Sequence, residues 1–231
     1  MKKILLLVLM LMITSISCFA KEEVDVDLEK NTSIQKRINE VGFRILNANK
    51  LDHHITFFYH DEDVLIKGDP SVIKRQVVIY DKDLQNIESD DELAALIARE
   101  TSKAIKTFDG SMGGFISSLH VKMAPKKYEI VADKRAVDYL VKAGYNPLGL
   151  MTYIIKTCPQ ARQDVISRRN LTSKRLMYIY EKIYYNYPYF LVNNTYSDNT
   201  YYQNFLLNSI ENRRLFEQKV KTRSTGRVHY E

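Results

Sequence analysis

Between Ser89 and Lys106 the chain repeats apolar residues at helical intervals, and this segment constrains the fold more than any other. Leu96, Ile97 and Ala104 follow Leu93 by 3, 4 and 11 residues, the spacing of one helix face. Ser89 or Asp90 can cap the helix, and Asp91 and Glu92 fall in its first turn, where the helix dipole favours anions. Glu100 lies on the same apolar stripe. A carboxylate aimed at a core is costly unless something pairs with it. Arg99 and Lys103, four residues apart, share a face that borders Glu100.

A second segment, Lys126–Lys142, repeats the pattern. Its stripe is Ala132, Ala136, Val137 and Leu140, and Glu129 and Asp133 fall on it. Two helices that each aim charge inward suggest a shared polar site. The plain alternative is two half-exposed stripe edges carrying surface ion pairs. Gly144 and Pro147 end this helix, and Pro147 can open a third, with Leu150, Met151, Ile154 and Ile155 as its apolar face.

The rest of the chain reads as a mainly helical α+β domain with a small mixed sheet. Ile34, Ile38, Val41 and Ile45 predict a helix capped at Asn31 or Thr32 and ending near Asn47–Lys50. Residues 54–60 and Gln76–Tyr80 read as strands, with a short strand at Val64–Lys67 and a turn at Gly68-Asp69-Pro70. Glycines at 110, 113 and 114 mark a loop between the two charged helices. Residues 172–184 read as a helix, 185–202 as a Tyr/Asn-rich loop and 203–221 as a final amphipathic helix, followed by a frayed end. The domain proper is placed at 31–185, with 186–231 packing on it.

The N-terminus carries an export signal. Lys2 and Lys3 precede an uncharged apolar run, Ile4 to Ile13, and Ser15, Ser17 and Ala20 form a small-residue cleavage region. Residues 1–20 are read as a signal peptide and 21–30 as a polar linker. Two rivals stay open: a lipoprotein signal with Cys18 as the lipidated residue, and an uncleaved anchor. Ser15-Ile16-Ser17-Cys18 fits the lipoprotein pattern poorly, because Leu usually stands three before the cysteine. Cleavage after Ala20 removes two lysines and lowers the net charge from +6 to +4, too mild to argue for nucleic acid. Cys158 is then the lone thiol, so no internal disulfide forms.

The two charged helices resemble those of metallopeptidase family 48, the HtpX-like and CAAX-protease-like zinc enzymes. Asp91-Glu92-Leu93-Ala94-Ala95-Leu96-Ile97-Ala98-Arg99-Glu100-Thr101-Ser102-Lys103 is similar to the family's D-E-L-A-A-(apolar)-(apolar)-A-H-E-x-x-H. Glu129-Ile130-Val131-Ala132-Asp133 is similar to its E-x-x-A-D, and Ala143-Gly144-Tyr145-Asn146-Pro147 to its A-G-Y-D-P. The resemblance covers about residues 30–185 and implies a zincin-like fold. It puts Glu100 at the general-base position and Glu129 at the third zinc-ligand position. Arg99 and Lys103 stand where the two histidine ligands belong. An arginine offers no lone pair, and a lysine could ligate only if neutral. The family's N-A-x-P-G-G edge strand keeps only Gly68 and Pro70, and its later H-P dipeptide is missing near Arg169-Asn170, with Arg175 matching a downstream arginine.

Zn²⁺ with two neutral histidines contributes +2, as do Arg99 and Lys103 together. The expectation is therefore a salt-bridge cluster of Arg99 and Lys103 with Glu100, Glu129 and Asp133, and no zinc. Three functions follow: an inactive exported pseudopeptidase that binds a protein or peptide or serves an envelope role, an active zinc metalloendopeptidase with atypical ligands, and a structural module with a closed cleft. The histidines (His53, His54, His60, His120, His229) read as surface residues, with His120 the one candidate for a replacement ligand. Cys158 has no partner motif for nucleophilic chemistry. The tyrosines from Tyr178 to Tyr202 read as packing for the C-terminal helix, with an aromatic binding surface as the alternative, and the basic residues Arg213, Arg214, Lys219, Lys221, Arg223 and Arg227 as a solvated face.

Overall fold

A computed structural model describes residues 30–51, 55–61, 76–108, 125–158 and 172–230. The signal peptide with Cys18, the linker up to residue 29, the strand at Val64–Lys67, the glycine loop, His53, His54, His120 and Arg169-Asn170 lie outside those residues. The described chain is mainly helical with one small sheet, an α+β arrangement. Helix α1 covers 30–48. Strands β1 (Thr56–His60) and β2 (Gln76–Tyr80) follow, then a short helix α2 (Asp81–Leu84) and the long α3 (Asp90–Phe108). Next come α4 (Pro125–Lys142), α5 (Leu148–Thr157), α6 (Thr172–Asn186), α7 (Tyr189–Val192), α8 (Thr200–Asn208) and α9 (Ile210–Lys221).

The two strands pair in parallel, Thr56 opposite Gln76 through His60 opposite Tyr80. The expected mixed sheet is, among the described residues, purely parallel. Phe57, Val77 and Ile79 face the core, as alternation requires. The Gln35 side chain donates to the Phe57 carbonyl (3.0 Å) and accepts from the Tyr59 amide (2.7 Å), so α1 is tied to the backbone of β1. Gly42 on α1 has no room for a side chain, because a Cβ there would meet the Phe57 ring at 2.5 Å. Asn31 and Thr32 lie inside α1, not at its cap, because the helix extends to residue 30.

Helix α3 is the centre of the molecule. It packs on α4, α5 and β2, and every residue from Glu92 to Ile105 is buried except Glu100 and Lys103. The apolar stripe therefore understates its burial, because small residues let neighbours close on the other sides as well. Its start is tied down at several points. Ser89 Oγ accepts from the Glu92 amide (3.2 Å), and Asp91 accepts from the Asn146 amide (2.9 Å) and the Tyr196 hydroxyl (3.0 Å). Gly149 of α5 lies so close that a Cβ would meet the Asp91 Cβ at 2.6 Å.

Helix α4 ends at Gly144, whose φ of +82° suits glycine. Tyr145 donates to the Leu140 carbonyl (2.9 Å) and Gly144 to that of Val141 (3.1 Å), the bond pattern of a Schellman cap.

The C-terminal region departs from expectation. Segment 185–202 contains α7 and the start of α8, whose Asn199 cap accepts from the Tyr201 and Tyr202 amides. The single helix expected over 203–221 breaks at Ser209. A straight helix would hold Phe205 and Phe216 about 16 Å apart along its axis. With the break, both rings lie against Tyr180, at 5.6 and 6.0 Å. The last residues are not frayed: Tyr230 is buried and its hydroxyl donates to Glu181 (2.9 Å). The reason is a return of the chain onto α6, where Tyr230 packs edge-on against Tyr178.

Candidate functional site

The five charged residues singled out in the sequence meet in one place. Arg99 and Lys103 lie one helical turn apart on α3, facing the turn of α4 that carries Glu129 and Asp133. Arg99 Nη1 reaches Glu100 (3.2 Å), Nε donates to Asp133 Oδ1 (3.0 Å), and Nη2 pairs with Glu129 Oε2. Lys103 Nζ donates to Glu100 Oε1 (2.9 Å) and lies 3.4 Å from Glu129 Oε1. The deep members are Arg99 and Asp133, 8% and 1% exposed; Glu100, Lys103 and Glu129 form a half-buried rim. Glu100 is thus at the margin of the helix interface rather than in its core.

Arg175 of α6 adds a third cation. Its Nε and Nη2 grip the two oxygens of Asp133 at 2.6 and 2.9 Å, and Nη2 stands 3.5 Å from Glu129. Three cations face three carboxylates, so the network is electroneutral. Along the sequence Arg175 stands out through the family resemblance alone; no local periodicity marks it. Of two other neighbours, Tyr153 has no mark in the sequence and Cys158 stands there only as a lone thiol. Tyr153 of α5 is buried beside Arg99 and Glu100; burial pushes its hydroxyl above the ordinary value, and Arg99 works against that rise. Cys158, at the end of α5, accepts through sulfur from Arg175 Nη1 (3.6 Å).

The electrostatics decide what this site can do. Burial pushes the Glu100 carboxyl up, but Lys103 and Arg99 outweigh it and hold Glu100 below the usual carboxylate range. Such a group is a poor base at neutral pH. Burial and Arg99 lower the Lys103 ammonium, against the pull of Glu100. Burial alone would lower Arg175 too, but Asp133 outweighs it and lifts the guanidinium above its ordinary value.

A zinc ion does not fit this arrangement as it stands. Arg99 supplies no lone pair, and both Glu129 oxygens are turned toward cations. Among the described residues, His60 stacks on Tyr80 at the sheet and His229 is exposed near the C-terminus, so neither joins the cluster.

A second buried ion pair lies at the other end of α3. Lys156 of α5 contacts both Glu92 oxygens (2.9 and 3.0 Å) and Glu88 (2.8 Å), and Lys156 and Glu92 are almost fully enclosed. Among the described residues no helix is long and apolar enough to cross a membrane. Compared with protein-family models, with curated proteins and with solved structures, the chain matches none of them.

Proposed function

We propose that this chain is an exported, zincin-like pseudopeptidase in which fixed charges take the place of a metal centre. The observation that carries this reading is the convergence of positions 99 and 103 of α3 with Glu129 of α4. These are the positions that the family resemblance assigns to the three ligands, and here two are cations. A base position held below the ordinary carboxylate range supports loss of hydrolysis as well. The Lys2–Ala20 segment supports a periplasmic or secreted location, with membrane attachment if Cys18 is lipidated. The family resemblance points to a protein or peptide as the partner, and the mild net charge argues against nucleic acid.

One observation favours the rival structural reading: Asp133 and Arg175 seal the base of the site, at 1% and 3% exposure. Metal analysis of the purified protein beside the double variant R99H/K103H tests the main reading. The parent is expected to hold no stoichiometric zinc and to cleave no peptide, and the variant to gain about one zinc per chain through the restored histidine pair and Glu129. Zinc in the parent, with chelator-sensitive proteolysis, overturns the proposal in favour of the atypical-ligand enzyme.

A further inference from the structure

The groove between α6 and α9 shares no residue with the Arg99 cluster. It measures about 250 Å³ and is lined by Tyr180, Tyr184 and Val220, with the buried Phe216 behind the two tyrosine rings. The rings pack edge-on, Phe216 lying 6.0 Å from Tyr180 and 5.1 Å from Tyr184. Two cations line it, Arg213 and Lys221.

The four cations of α9 divide in two. Arg214 and Lys219 are paired outside the groove, with Glu211 (2.8 Å) and Glu181 (2.6 Å). Arg213 and Lys221 have no carboxylate partner among the described residues. Arg213 is partly buried, yet its guanidinium makes a single hydrogen bond, from Nη2 to the Leu206 carbonyl (2.8 Å). Its Nε is enclosed and has no acceptor among the described residues. Glu217, one turn of α9 from both Arg213 and Lys221, offsets one of these two positive charges, and the remaining one favours an incoming monoanion.

We propose that this groove binds a small monoanion with a flat apolar body, an aromatic carboxylate whose ring lies against Tyr180 and Tyr184 and whose carboxylate meets Arg213 and Lys221. Size limits the ligand to one ring and a short arm, since ligand pockets generally run from about 300 to 1,000 Å³. Glu217 also lines the groove and disfavours a second negative charge. The same chemistry is offered by a free aromatic acid and by the C-terminal carboxylate of a peptide ending in phenylalanine.

The test titrates the intact protein with 3-phenylpropionate, its amide, and Gly-Gly-Phe with a free or an amidated end, read by calorimetry and NMR. At least one acid is expected to bind, with its amide about tenfold weaker or worse, the loss of a charge-assisted contact. Binding by phenylpropionate alone identifies a free acid, and binding by the peptide identifies a chain terminus. Arg213→Gln should weaken binding about tenfold, while Arg214→Gln, outside the groove, should leave it unchanged. If Arg213→Gln does not fold, the exposed Lys221→Gln carries the test, with a loss of about threefold or more. No binding up to about 10 mM, equal binding of acids and amides, or unchanged binding by the folded Arg213 or Lys221 variant overturns the proposal.

Discussion

Replacing Asp133 by alanine should be among the most damaging single changes in this chain. Asp133 is 1% exposed and accepts three hydrogen bonds, one from Arg99 (3.0 Å) and two from Arg175 (2.6 and 2.9 Å). Each charge-assisted bond contributes about 1.5–3 kcal/mol, but their sum overstates the loss. Arg99 keeps Glu100 and Glu129, and Arg175 keeps Glu129 at 3.5 Å. What remains is three buried or half-buried cations facing two carboxylates, an uncompensated positive charge. Breaking a buried pair by removing one partner costs about 3–5 kcal/mol. The assay is urea unfolding followed by far-UV circular dichroism at pH 7, in low salt and in high salt. Enclosed charges are weakly screened, so the loss should hardly change with salt. Arg37→Ala is the control, because its pair with Asp90 is exposed and should contribute under about 1 kcal/mol. In an Arg175→Met background the Asp133→Ala change should cost at least about 1 kcal/mol less, the coupling expected of contacting residues. A loss as small as that of Arg37→Ala, or strict additivity with Arg175→Met, would refute the claim of an interlocked network.

Two further outcomes follow from the other charged contacts. Glu100 has a folded pKa below its ordinary value, so its stabilising share is complete above pH of about 4.5 and fades as pH falls through the lower folded value; Glu100→Gln should flatten the stability curve in that acid range, as read by urea midpoints between about pH 3 and 7. Lys156→Met should lose about 3–5 kcal/mol at pH 7, read by the same urea midpoints, because it leaves the enclosed Glu92 carboxylate with the Glu88 amide (2.8 Å) and no cation.

Part of this architecture is legible along the chain because it is encoded by period. The repeats of Leu93, Leu96 and Ile97, and of Ala132, Ala136, Val137 and Leu140, are enough to place two helices and to bring Arg99, Glu100, Lys103, Glu129 and Asp133 into question together. Gly144 and Pro147 mark the stop of α4 and the start of α5 by backbone chemistry alone. Helix and strand periods register which face is apolar, and turn residues register which dihedrals are permitted.

Neither register says which distant segment will cover a face. Arg175 lies 42 residues from Asp133, and Lys156 lies 64 from Glu92, so no local pattern couples them. The break at Ser209 likewise has its reason in Tyr180, against which both Phe205 and Phe216 come to pack. The tucked Tyr230 depends on a carboxylate 49 residues away. The sequence by itself determined the helices that carry the charges and the presence of cations at positions 99 and 103. Only the tertiary structure decided that these charges close into a neutral network, because a buried ion is tolerable only where the fold delivers its counter-ion, and that delivery is long-range.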